Sequence, residues 1–112
     1  MQDKKTFTIA LNGKQSDSVN IQDHQLLGLK MPAAWTAATV GFLGSTDNVN
    51  FATIYDDNGI EAQAIVDASR AVSLVSNALA IAPWPYIKLR SGTEALEVAQ
   101  LAGRSIEIVM KA

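Results

Sequence analysis

Short segments in which apolar and polar residues alternate recur along the chain. Residues 6–11 show the pattern most clearly, since Phe7, Ile9 and Leu11 fall on one side and the residues between them on the other. Because successive side chains of a strand point to opposite faces, a period of two predicts a half-buried β-strand. Comparable strand patterns occupy residues 26–31, 39–43, 51–55, 60–66, 70–74, 86–90 and 104–110.

Turn-forming residues separate most of these segments, at Asn12-Gly13, at residues 45–48 and at residues 56–59. Seven to nine short strands at this spacing are typical of an antiparallel β-sandwich or a small barrel. Nothing in the sequence suggests a domain boundary. We therefore expect one domain over residues 1–112, with residues 1–5 as a flexible or partner-bound N-terminal arm.

Three segments allow more than one structure. Residues 16–20 are polar and fit a loop or a weak edge strand. Residues 75–82 contain Ala and Leu, which allow a helical turn or a loop. Residues 93–101 are the best candidate for a short helix, because Ser91 and Glu94 have capping-box spacing, but a long loop fits equally well.

Charge, cysteine content and hydropathy exclude several classes of function. The formal net charge is −2 and the nine Lys and Arg residues are scattered, so nucleic-acid binding is not expected. The absence of cysteine excludes disulfides, thiolate nucleophiles and cysteine zinc sites. No apolar run approaches the ~20 residues of a membrane helix, and none follows the polar N-terminus, so neither a membrane span nor a signal peptide is expected.

Candidate catalytic chemistry is sparse. His24 is the only imidazole, and a metal site or an acid–base site needs several convergent groups, so we expect no enzyme, catalytic residue, cofactor or metal. Asp56 and Asp57 could act as paired carboxylates or calcium ligands. Their spacing does not match an EF-hand, and a turn ending in Gly59 accounts for them. The same turn role is assigned to Asp47, Asn48 and Asn50.

The two tryptophans are treated differently. Trp35 lies among small residues, which favours packing in the core. Trp84 lies between Pro83 and Pro85, where core packing and an exposed binding position remain alternatives.

Basic side chains are the other candidate contacts. Arg90 and Arg104 could form ion pairs with Glu94, Glu97 or Glu107, or could anchor a protein–protein interface. The expected contacts come from loop tips and chain ends. The candidate interface residues are Trp84, Tyr86, Arg90, Arg104, Lys4 and Lys5.

From residue 31 onward the chain carries an unusual order of motifs. In sequence they are Met-Pro-Ala-Ala-Trp-Thr-Ala-Ala at 31–38, Ser-Thr-Asp at 45–47, Phe51, Tyr-Asp-Asp at 55–57, Leu-Arg-Ser-Gly-Thr at 89–93, Gln100 and Arg104. This order resembles a family of small structural proteins of tailed bacteriophages and prophages, over roughly residues 26–109. The sequence departs from the family pattern at Asn48, where we would expect Gly; Asn also tolerates a left-handed turn conformation.

The resemblance implies an all-β antiparallel sandwich of jelly-roll type with about eight strands. It also implies a virion protein, made in the bacterial host cytoplasm and located on the capsid surface. The expected function is capsid decoration or cementing, with the major capsid protein lattice as partner. A homo-oligomer is expected, and a trimer is one closed form. Two alternatives remain: a tail or neck component, and a carbohydrate-binding module, since the Trp loop and the following strands also resemble discoidin-type sandwiches.

Overall fold

The computed structural model describes the backbone of residues 2–112 and the side chains from Lys5 onward. This part of the chain forms nine strands and one helical turn. In chain order they are β1 (Gln2–Ile9), β2 (Gln15–Asn20), β3 (Gln25–Lys30), β4 (Val40–Ser45), β5 (Ala52–Thr53), β6 (Gln63–Ala64), β7 (Ala71–Ser73), α1 (Ala78–Ile81), β8 (Tyr86–Ser91) and β9 (Arg104–Lys111).

The strands form two antiparallel sheets. One sheet has the order β1-β9-β3-β7, and the other has the order β2-β8-β4-β5, with β6 also paired to β4. If β5 and β6 are counted as one interrupted edge strand, eight strands distribute between the sheets as in a jelly roll. The predicted all-β sandwich is therefore confirmed.

The core lies between the facing sheets. Period-two alternation puts Ile106, Ile108 and Met110 on the inner face of β9, and each is fully buried, as the sequence pattern predicted. Leu11, by contrast, is 63% exposed because β1 ends at Ile9, before the turn at Asn12. The core is continuous across both sheets and includes Phe7, Leu29, Phe42, Ile87 and Leu89.

The structure resolves one of the segments that the sequence left open. Residues 93–101 form a loop, so of the two structures that the sequence allows there, the loop is confirmed and the short helix is not formed. The physical reason is that this segment bonds outward to the sheet: Val98 N–H donates to the Ser91 carbonyl at 2.8 Å, and Gln100 N–H donates to the Gly13 carbonyl at 3.0 Å. The single helical turn is α1, within the segment that allowed either structure.

The chain start belongs to the first sheet. Residues 2–5 of the predicted N-terminal arm are the beginning of β1, and Gln2 pairs with Lys111. Met1 lies outside the described residues. Among the described residues, no helix is long and apolar enough to cross a membrane.

Candidate functional site

The helical turn α1 lies beside β6 and β7, which are edge strands of the two sheets, and it carries an exposed apolar side chain. Ile81 is fully buried and anchors the turn in the core. Leu79 is two residues earlier, on the other side of a helix with 3.6 residues per turn, and is 80% exposed. The turn is followed by Pro83, so it cannot extend.

Exposed large apolar residues concentrate around this turn. Six of the ten such residues in the described chain line two grooves beside α1. We call these six the α1 patch: Tyr55, Ile60, Ile65, Val75, Leu79 and Trp84. Isolated exposed apolar residues are ordinary, but a contiguous group of them marks an interaction surface.

The two grooves meet to form one continuous surface. Groove 1 has a volume of about 530 Å³ and is lined by β6, β7 and the residues that lead into α1. Groove 2 has a volume of about 380 Å³ and lies between α1 and the loop that follows β5. Asp56, Ser76 and Ala80 line both grooves, so the grooves are adjacent.

An acidic turn borders the α1 patch. The Asp56 carboxylate accepts hydrogen bonds from the Asn58 and Ile60 N–H groups, each at 2.9 Å, and Gly59 has φ +77°. The turn role predicted for this segment is confirmed. Asp47 has the same role after β4, where the N–H groups of Asn50 and Val49 lower the pKa of its carboxyl group.

Trp84 lies at the border between the patch and the second sheet. Its ring packs over Gly44 of β4: a Cβ built there would lie 2.7 Å from the Trp84 Cγ atom. The residue is still 38% exposed and lines groove 2. Trp84 is therefore not part of the core cluster, and its role as a binding residue stays a prediction. Trp35 packs against the core, as predicted, and its Nε1 donates to the Ala38 carbonyl at 3.1 Å.

Trp84 also lines a third cleft, of about 610 Å³, on its other side. We call this the His24 cleft, because His24 lines it together with polar neighbours on the β2–β3 turn. The His24 Nδ1 atom lies 2.9 Å from the Gln22 carbonyl oxygen. In the described part of the chain, no group of three or more His, Asp or Glu side chains is arranged to hold a metal ion.

Arg90 is buried on the outer face of the second sheet, beneath the loop that follows β8, and its guanidinium group bonds within the molecule. The residue is 7% exposed, its Nε donates to Glu97 at 2.8 Å, and its Nη1 donates to the Thr53 hydroxyl at 2.8 Å. These contacts tie the loop after β8 to the outer face of the second sheet. The predicted ion pair with Glu97 is confirmed, and the guanidinium is not placed on an exposed rim.

Two glutamates of the same loop have shifted pKa values. The pKa of Glu97 is lowered, first by the Gln15 amide, which donates at 3.0 Å, and then by Arg90. The Tyr55 hydroxyl donates a short hydrogen bond to Glu94, which lowers the pKa of Glu94 and raises that of Tyr55. These hydrogen bonds join the loop to β2 through Gln15, to β8 through Arg90, and to Tyr55.

Arg104 takes part in a second network, centred on the fully buried Gln100. The Gln100 amide oxygen accepts from Arg104 Nε at 3.0 Å and from the Thr36 N–H at 2.9 Å, and its Nε2 donates to the Ser91 hydroxyl at 2.8 Å. Several of the motifs that carry the family resemblance therefore meet here. The network holds the loop of residues 32–39 against the end of the sandwich.

Tyr86 and Lys5, two further candidate interface residues, line neither of the two grooves of the α1 patch. Tyr86 begins β8 and is half-buried, paired with Asn20 and Ser45 on the neighbouring strands. Lys5 is exposed on β1, with its Nζ 3.5 Å from the Asn20 carbonyl. The Lys4 side chain lies outside the described residues. Of the six candidates, only Trp84 belongs to the patch.

Five of the six patch residues are not predicted by the sequence. Ile60, Ile65 and Val75 belong to a predicted strand or to a segment left open, and Leu79 carries no local signal. Ile65 alone offers a signal, because it lies on the polar side of the alternating segment 60–66. No family model matches this chain, and neither the curated proteins nor the solved structures include a match.

Proposed function

We propose that this chain is a virion structural protein of a tailed bacteriophage or prophage, and that it decorates and stabilises the assembled head. The major capsid protein lattice is the proposed partner. The observation that carries this proposal is the α1 patch, a group of six exposed large apolar residues that line two adjoining grooves of the jelly roll. Surfaces of this kind are characteristic of protein–protein contacts.

The proposed mechanism is linkage between binding and assembly. A protein that binds the assembled lattice, but not the separate subunits, stabilises the lattice by mass action. Burying one exposed leucine such as Leu79 contributes about 2 kcal/mol to a contact. Repetition of the contact over a symmetric shell makes a weak single contact effective.

The experiment uses particles of the source phage that are prepared without this chain. Purified protein is added back, and binding is measured by co-sedimentation and by the temperature at which the heads release DNA. We expect saturable binding and a higher release temperature. Leu79→Ser should weaken binding at least tenfold, whereas Leu101→Ser, which is 71% exposed outside the patch, should bind normally.

Two results would contradict the proposal: no co-sedimentation with heads, or binding without any change in the release temperature. Binding to isolated tails or necks instead of heads would support the alternative virion location.

A carbohydrate-binding module is the second candidate, favoured by the His24 cleft. Trp84 borders this cleft together with Gln22 and Gln25, and an indole beside polar side chains is suited to stacking on a sugar ring. Calorimetric titration with a panel of oligosaccharides tests it. Binding that disappears in Trp84→Ala but persists in Leu79→Ser would favour the sugar site over the lattice contact.

A further inference from the structure

Groove 1 lies between two open sheet edges. It is lined by β6, at the edge of one sheet, and by β7, at the edge of the other. On the opposite side of the sandwich the edges of β1 and β2 are bridged by side chains, since the Thr8 N–H donates to the Asp17 carboxylate at 2.9 Å. An open edge presents backbone donors and acceptors that another strand can use.

The register of β7 shows which backbone groups face outward. Val72 pairs with Leu29, and the Leu74 N–H donates to the Leu27 carbonyl at 2.9 Å. In an antiparallel pair the residues between such bonds direct their N–H and C=O groups away from the partner strand. By this register, the N–H and C=O groups of Ala71 and Ser73 point away from β3. Both residues are exposed, so an added strand could pair with these groups.

The side chains around the grooves define the chemistry of an occupant. Ile65 and Val75 are 80% and 82% exposed beside groove 1 and offer apolar contact. Asp56, Asp57 and Glu61 line the two grooves, and within the described chain neither groove is lined by Lys or Arg. A complementary segment is therefore apolar and positively charged.

We propose that the α1 patch binds a short extended segment of the partner protein in which apolar residues alternate with Lys or Arg, and that this segment pairs with β7. The inference rests on the proposed function and specifies the partner's chemistry. Backbone hydrogen bonds to β7 would position the bound segment along the strand. The acidic turn at Asp56 and Asp57 would favour segments that carry positive charge.

Synthetic peptides test the proposal directly. The probes are a capped peptide in which Val alternates with Lys, a matched Val–Glu peptide, and two N-methylated Val–Lys peptides. In each methylated peptide every second backbone nitrogen carries a methyl group, which removes the N–H donors from one edge of the extended chain or from the other. Each is titrated into isotope-labelled full-length protein and followed by NMR. We expect the Val–Lys peptide to shift amide signals of β7 and α1, with binding at least tenfold weaker for the Val–Glu peptide and for one N-methylated form.

Equal binding of the Val–Glu peptide, equal binding of both N-methylated forms, shifts confined to other surfaces, or no binding would each overturn the proposal.

Variants of the protein provide the matched controls. Asp57→Lys should weaken the Val–Lys peptide and strengthen the Val–Glu peptide, because the change reverses the charge of an exposed turn residue. Ser73→Pro removes a donor that faces away from β3 and should abolish binding, while Leu101→Ser should bind normally. If Ser73→Pro does not fold, the charge reversal alone decides the outcome, and unchanged peptide preference overturns the proposal.

The particle assay separates this inference from the proposed function. Protein that co-sediments with heads but binds none of the peptides would leave the proposed function standing and refute the docking segment. Protein that binds the Val–Lys peptide at β7 but does not co-sediment with heads would refute the proposed function and leave the docking segment standing.

Discussion

At the scale of single residues, a close approach between two elements explains one glycine of β4. Trp84 packs over Gly44, and a methyl group there would lie 2.7 Å from its Cγ atom. We expect Gly44→Ala to lower the free energy of unfolding by about 1–3 kcal/mol, since the ring must move or the strand must shift. Urea denaturation followed by circular dichroism measures this change.

Gly103→Ala is the matched control, because a Cβ there would meet only the Ile9 carbonyl oxygen, at 3.8 Å. It should leave stability nearly unchanged. Equal stability of Gly44→Ala and Gly103→Ala would contradict the packing argument.

Another single residue, Gln100, joins three segments that are distant in sequence. Gln100→Met keeps the approximate volume but leaves the Thr36 N–H and the Ser91 hydroxyl without their amide partner. Each buried polar group left without a partner costs roughly 1–3 kcal/mol, so we expect a comparable or larger loss of stability. Thermal unfolding measures it. Gln25→Met, at an exposed position, should be close to neutral, and a similar loss in both variants would argue against the network.

At the scale of elements, the loop of residues 92–98 is held on the sheet by ionised glutamates. The pKa of Glu97 is lowered from its ordinary value of 4.5, so its ionised form is favoured by folding. That stabilisation is fully present above pH 4.5 and is lost as pH falls through the lower folded-state value. We therefore expect Glu97→Gln to be less stable than the wild type near neutral pH, with the difference shrinking in acid.

Denaturation at a series of pH values from about 7 to about 3 measures the difference between the two proteins. A difference that stays constant, or grows in acid, would show that the ionised form of Glu97 is not what holds the loop.

At the scale of the whole molecule, the three most exposed residues of the α1 patch, Ile65, Val75 and Leu79, contribute little to folding, since each is at least 80% exposed. Replacing Ile65, Val75 and Leu79 together by Ser should change stability only slightly, because exposed substitutions are usually within about 0.5 kcal/mol each. The same variant should bind less of a hydrophobic dye and self-associate less at high concentration. Melting temperature, dye fluorescence and sedimentation velocity measure these effects.

Replacing Val49, Leu96 and Leu101 by Ser is the matched control, since these residues are 76%, 71% and 71% exposed but line neither groove. An equal fall in dye binding in both variants would mean that the α1 patch binds the dye no better than other exposed apolar residues do. A much lower melting temperature in the patch variant would mean that these residues support the fold.

Alternation along the chain predicts most of the strands, although residues 16–20, which lie in β2, stay open between a loop and a weak edge strand when the sequence is taken alone. Alternation is a local property, and it identified the buried residues of β8 and β9, such as Ile87, Leu89 and Ile108, because each strand has one face in the core. Local turn chemistry likewise identified the Asp56 turn. It did not decide between helix and loop for residues 93–101, since backbone partners far along the chain held that segment in the loop conformation.

The arrangement of the surface depends on tertiary packing. Arg90 is buried because the loop after β8 folds back over it with Glu97. Leu79 and Ile65 line adjoining grooves because β6, β7 and α1 lie side by side at the edges of the two sheets. Exposed side chains share a surface when distant segments pack side by side. The alternation along a single strand does not predict that packing.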